Sequence, residues 1–138
     1  MTVALETFAP SNSLDSLERL VTCSNRYLGT AGWWSRLAAT LDVVREQLAH
    51  ADMTGLSMQV IADAPELATA ALRLPDLEDQ AQAEAAQLRM EIAEKSGNRS
   101  EAIVVREAVK ALIGRVRHID KLSDTVLRDA YLRDFGGE

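Results

Sequence analysis

One long apolar stripe near the C-terminus constrains the fold of this chain more than any other feature. Eight residues follow one another at alternating gaps of four and three, and seven of them are apolar: Val105, Val109, Leu112, Val116, Ile119, Ser123, Val126 and Ala130. This spacing places all eight on one side of an α-helix. The stripe predicts a helix over about residues 98–135, roughly 50 Å long, around which the rest of the chain packs.

Three shorter stripes of the same spacing predict further helices over residues 13–28, 33–51 and 75–95. The chain has only three prolines and seven glycines, and apolar and polar residues do not alternate as they do in strands. We therefore predict an all-α fold. It is an antiparallel bundle of four main helices plus a short helical segment, with a long C-terminal helix.

The segment before the third of these helices is open to more than one interpretation. Residues 52–74 keep a helical period, but Pro65 interrupts it because proline lacks the N–H of a helix interior. The segment is expected to form two short helices, about 55–63 and 65–73, or one kinked helix. Leu74-Pro75 is expected to start the next helix.

Length and charge bound the organisation of the chain. The 138 residues suit a single domain, 1–138, with residues 1–12 as an irregular N-terminal arm that ends after Pro10. Residues 76–94 carry six acidic side chains and one basic, whereas residues 106–121 carry five basic and two acidic. We expect these two stretches to lie side by side, antiparallel.

The composition also limits the cellular compartments and the classes of binding partner that are expected. The net charge of −6 disfavours generic binding to nucleic acid or to anionic membranes. No apolar run approaches the ~20 residues that span a bilayer, so no membrane partner is expected. A single cysteine, Cys23, suits a reducing compartment, and the N-terminal residues carry Glu6 and no base, unlike a secretory signal. The expected location is cytoplasmic.

Residues with catalytic or metal-binding chemistry do not combine into a known pattern. Neither histidine has a glutamate three residues before it, as di-iron bundles require. Glu46 and His50 lie four residues apart, but two ligands do not make a metal site. No motif pairs Cys23 with a histidine, which favours a small buried or half-buried thiol. We expect no metal and no cofactor.

Three groups of residues are candidates for contacts. Trp33 and Trp34 point about 100° apart on a helix, so Trp34 is expected in the core. Trp33 is expected at the bundle end or on the surface, where it marks a contact or covers the end of the core. A basic cluster is a candidate for an anion contact or a solvated face: Arg115, Arg117, His118 and Lys121. The end of the last helix is expected to overhang and bind a second chain: Val126, Leu127, Ala130, Tyr131, Leu132 and Phe135.

One set of motifs within residues 69–113 comprises Leu74-Pro75, Gly97, the run Arg99-Ser100-Glu101-Ala102-Ile103 and Arg106-Glu107-Ala108. With these motifs the segment resembles the ribbon-helix-helix family of DNA-binding repressors and antitoxins. The resemblance implies that residues 69–74 form a strand that pairs with its copy in a dimer and reads the major groove. Thr69, Ala71 and Arg73 would face the bases, and Ser100 would hold a phosphate.

The leading interpretation is a non-enzymatic helical bundle that acts through protein–protein contacts, as a regulator, adaptor or small chaperone, and that self-associates. The alternative is a DNA-binding transcriptional regulator that uses residues 69–113.

Overall fold

The fold, in a computed structural model, is described for residues 11–132. Residues 1–10 of the predicted N-terminal arm lie outside the described residues, and so does Phe135. The helices are α1 (Ser11–Val21), α2 (Ala31–His50), α3 (Met53–Asp63), α4 (Ala68–Lys95) and α5 (Ala102–Leu127). Short 3₁₀ turns, Pro65–Leu67 and Arg99–Glu101, precede α4 and α5, and a π-helical turn, Arg128–Leu132, extends α5. The predicted all-α bundle is confirmed, and residues 11–132 contain no strand.

Four of the helices form an antiparallel ring in the order α1, α2, α4, α5. A polar contact crosses each boundary of the ring: Trp33–Leu20 (2.8 Å) between α2 and α1, Asp42–Arg89 (2.8 Å) between α2 and α4, Glu84–Arg115 (3.2 Å) between α4 and α5, and Glu18–Arg117 (2.9 Å) between α1 and α5. The predicted pairing of the acidic and basic stretches is confirmed, since α4 and α5 are neighbours along most of their length.

The short helix α3 lies outside this ring, against α4. Asp52 caps it, because its side chain accepts a hydrogen bond from the backbone N–H of Gly55 at 2.9 Å. At its other end, the hydroxyl of Tyr131 donates to Asp63 at 2.7 Å. This contact ties the final turn of the chain to the end of α3.

Three helices have boundaries that differ from the sequence prediction, and α5 is α-helical over 102–127 against a predicted 98–135. α1 begins at Ser11 and ends at Val21, so residues 22–28 lie in a loop and do not extend the helix. α4 begins at Ala68 and runs through Pro75 without a break. The expected restart at Leu74-Pro75 is therefore wrong.

The helix tolerates Pro75 because its neighbours are deeply buried. An interior proline costs a helix about 3 kcal/mol, since it removes one backbone hydrogen bond. Leu74, immediately before it, and Ala71, one turn earlier, are both 0% exposed. Burial of a leucine side chain stabilises by about 1.5–3 kcal/mol, so the tertiary packing of α4 offsets the local preference to break.

Two glycines occupy the left-handed backbone region, with different surroundings. Gly29 (φ 79°) lies near the end of the loop after α1, and Gly97 (φ 88°) lies in the turn between α4 and α5. A Cβ at Gly29 would lie 2.8 Å from Cγ of Arg99 and 3.0 Å from Cβ of Ala102, whereas nothing lies within 4 Å at Gly97. The start of α5 therefore packs directly on the Gly29 backbone.

The two glycines predict unequal costs for the same substitution. Gly97→Ala should lower the free energy of unfolding by about 1 kcal/mol, the cost of a left-handed alanine. Gly29→Ala should lower it by about 2–4 kcal/mol, because the added methyl group also forces Arg99 or Ala102 to move. Urea denaturation of both variants tests this difference, and equal losses would contradict the close packing at Gly29.

Candidate interaction surface

Within the described part, the C-terminal residues predicted to overhang are instead buried or half-buried. Val126, Leu127 and Ala130 are 2%, 6% and 5% exposed, and Tyr131 is half-buried. The side chain of Leu132 and all of Phe135 lie outside the described part. The overhang prediction is therefore wrong for residues 126–131. In addition to its neighbours in the ring, this end of α5 has the end of α3 beside it.

Trp33 lies inside the protein, so a surface contact, one of its two expected roles, is wrong. It is 0% exposed, and its indole N–H donates to the backbone carbonyl of Leu20 at 2.8 Å. Its ring meets that of Trp34 edge-on, with 4.9 Å between centroids. Trp33 therefore covers the α1–α2 end of the core, the alternative that the sequence left open.

The predicted basic cluster is divided between two sides of α5. Arg115 binds Glu84 at 3.2 Å and Gln80 at 2.9 Å on α4, whereas Arg117 binds Asp15 and Glu18 on α1. Residues two apart on a helix point about 200° apart, so the two guanidinium groups cannot converge. His118 and Lys121 are exposed on the same helix.

The strand implied by the ribbon-helix-helix resemblance is absent from residues 69–74, which are helical. That implied structure is wrong. Ala71, expected to face DNA bases, is 0% exposed in the core of this chain. The Asn98 side chain accepts from the backbone N–H of Ser100 at 3.2 Å, which makes it an ordinary helix cap.

The Glu46–His50 pair lies on the surface, as expected. Its atoms are 4.0 Å apart, and both side chains are more than 70% exposed. Over residues 11–132, no group of three or more His, Cys, Asp and Glu side chains could hold a metal ion. Cys23 is half-buried in the loop after α1.

Helix α2 carries a second stripe that faces outward. Its inner stripe, from Trp34 to Ala51, is buried as predicted. The outer α2 stripe keeps gaps of four and three on the opposite side, and every member is exposed: Gly32, Arg36, Ala39, Val43, Glu46 and His50. Val43, at its centre, is an aliphatic side chain that is 46% exposed. An apolar centre between charged ends is the usual composition of a protein contact.

Hollows flank the outer α2 stripe on both sides. Between α1 and α2, two adjoining hollows of about 310 and 360 Å³ share Ser16, Ala39 and Thr40 in their lining, and Val43 borders the first. Between α2 and α4, a hollow of about 580 Å³ contains three alanines: Ala49, Ala83 and Ala86. These alanines on one side, and Ala39 with Thr40 on the other, leave space beside α2 between the longer charged side chains.

Charge differs between these hollows. The side chains that line the α1 side include Arg19 and Arg36 and no described carboxylate. Those on the α4 side include Asp42, Glu46 and Asp79, with Arg45 as the only described base. The surface around α2 therefore has a basic part near Arg36 and an acidic part near Glu46.

Comparisons with known proteins find no match for this chain among family models, curated proteins or solved structures. None of the described helices is both long enough and apolar enough to cross a membrane. The assignment of the surface therefore depends on its own side chains. The sequence carried a signal for it, since the outer stripe has helical spacing, but the inner stripe of α2 is far more apolar and dominates the pattern.

A buried carboxyl group lies at the turn from α2 to α3. Glu78 of α4 is 8% exposed, and burial raises its pKa to about 7. The backbone N–H of Met53 donates to it and opposes that rise, whereas the charges of Asp79 and Asp52 add to it. One turn further along α4, Gln82 donates to the carbonyl of Leu48 at 3.2 Å. Two polar side chains of α4 thus hold the α2–α3 turn.

Glu78 predicts that rising pH destabilises the protein. Its pKa is about 7 in the folded chain and 4.5 as a free group, so the unfolded chain loses this proton first. Stability is then lost as the pH rises from about 4.5 to about 7. Between about pH 5 and pH 8 the free energy of unfolding should fall by about 1–2 kcal/mol more in the wild type than in Glu78→Gln. This change in free energy is smaller than the full pKa difference would give, because nearby water screens the charge.

Urea denaturation of both proteins across this pH range measures the difference. The glutamine variant keeps the shape and hydrogen-bonding capacity of the protonated side chain. Parallel pH profiles for the two proteins would show that Glu78 does not ionise at a raised pKa.

Proposed function

We propose that this protein is a non-enzymatic interaction module that binds another protein chain through the outer α2 stripe. The observation that carries the proposal is the half-exposed Val43 beside Ala39, at the centre of a regular stripe with Arg36 and Glu46 on either side. The role is that of a regulator, adaptor or small chaperone in the cytoplasm.

The shape of the surface supports a helical partner. Ridges of side chains on one helix pack into grooves on another, and α2 offers a ridge at Ala39 and Val43 with a hollow on each side. A helix laid along α2 would remove the apolar centre from water. It would leave the charged ends at the rim, where they give orientation more than affinity.

The rigidity of the platform also supports the proposal. The inner side of α2 is anchored by Leu37, Leu41 and Val44, each 0% exposed. Trp33 and Trp34 hold its first turn, and Thr30 caps it by accepting from the backbone N–H of Trp33 at 3.2 Å. A surface that is already ordered loses little conformational entropy when it binds.

A photo-crosslinking amino acid at position 43 tests the proposal. Irradiated in cells that express the protein, it should give one dominant covalent adduct between this chain and another polypeptide. Replacing Val43 should change stability by no more than about 0.5 kcal/mol, because the side chain is only half-buried.

The same crosslinker at Leu72 is the matched control. Leu72 is an aliphatic side chain on α4 that is 57% exposed, but it is not part of the outer α2 stripe. Adducts of equal yield at both positions, or none at position 43, would overturn the proposed surface.

A further inference from the structure

We propose that the chain bound by the outer α2 stripe is a second copy of this protein, packed with its α2 antiparallel about a two-fold axis. This inference rests on the proposed function and names its partner. The geometry points to it because the stripe is self-complementary under that operation, as a two-fold interface requires.

The register follows from the sequence positions. The two-fold axis passes α2 midway between Ala39 and Val43. Each residue of α2 then faces the partner residue that lies equally far beyond this midpoint. Ala39 then faces the partner's Val43, and Val43 faces the partner's Ala39. Arg36 faces the partner's Glu46, and Gly32 faces the partner's His50. Every exposed member of the stripe therefore has a counterpart in the same stripe.

Charge complementarity selects this arrangement over a parallel one. Two copies in parallel would set Arg36 against Arg36 and Glu46 against Glu46, which repel. The antiparallel copy sets each arginine against a glutamate, twice per dimer.

Shape supports the same register. Val43 projects beside a hollow of about 310 Å³ that Ser13, Ser16, Ala39 and Thr40 line. In the antiparallel dimer the partner's Val43 lies over Ala39, and therefore at the mouth of this hollow. The small side chains there accept an aliphatic group without displacing a larger one. The hollow is thus filled by a residue that the second copy already exposes.

Charge reversal tests the register directly. Wild-type protein should dimerise in sedimentation velocity experiments at concentrations up to roughly 1 mM. Arg36→Glu and Glu46→Arg, each alone, set like charges against each other at both symmetric contacts. Each should raise the dissociation constant about tenfold or more, since two exposed pairs change from attraction to repulsion.

An equimolar mixture of the two variants is the decisive measurement. In the mixed dimer, one chain carries an acid at both positions 36 and 46, and the other carries a base at both. Position 36 of each chain faces position 46 of the other, so both contacts again join opposite charges. Association in the mixture should return to within about threefold of the wild type. Circular dichroism of each variant confirms that the bundle is folded, and Arg73→Glu, on α4, serves as a charge-matched control that leaves dimerisation unchanged.

Three results would overturn the inference: a wild type that stays monomeric throughout, single variants that dimerise like the wild type, or a mixture that does not recover. The proposed function fails separately. If the crosslinker at position 43 joins this chain to a different protein while the purified wild type is monomeric, the outer α2 stripe is still an interaction surface. If neither experiment finds a partner, both proposals fail.

Discussion

The packing of α5 between α1 and α4 is the contact on which the other parts of the structure depend. Val105, Val109, Leu112, Val116 and Ile119 are each 0% exposed. Removing a side chain of this kind from a packed core costs about 2–5 kcal/mol, which is a large part of the total stability of a small domain. Arg115 and Arg117 leave the same helix on its two sides and bind carboxylates of α4 and α1. Burial of the apolar stripe stabilises the folded chain, and the two arginines lie at the edges of the stripe.

Helix α2 lies opposite α5 in the ring. α5 has neighbours on two sides, and the end of its extension is tied to α3 by the Tyr131–Asp63 hydrogen bond. α2 has α1 and α4 as neighbours, and its outward side meets no other described helix. The small residues of its flanking hollows keep that side shallow and accessible. Its exposed Val43 is consequently a feature of the bundle surface and not an unfilled part of the core.

Much of the architecture was predictable because helical periodicity is a local property. The stripes placed both ends of α2 and the start of α5 within a few residues, and they placed the buried side of each helix correctly. Gly97 suits the turn between α4 and α5 because a left-handed residue between two helices favours glycine. Two of the errors share one cause: burial by a distant segment. Pro75 was interpreted as a helix start, and the C-terminal residues as exposed, because their covering neighbours are far away in sequence.

The candidate surface was only partly accessible to the same reasoning. The outer α2 stripe has the spacing of a contact surface, but exposed helix faces with that spacing are common, and only packing shows which of them stays uncovered. The burial of Trp33 also depends on a distant contact. Its indole N–H donates to the carbonyl of Leu20, which is available because α1 ends at Val21. The sequence by itself determined the helices and their buried sides, through the period of apolar residues. Only the tertiary structure decided which remaining faces meet water, because that depends on contacts between residues far apart in the chain.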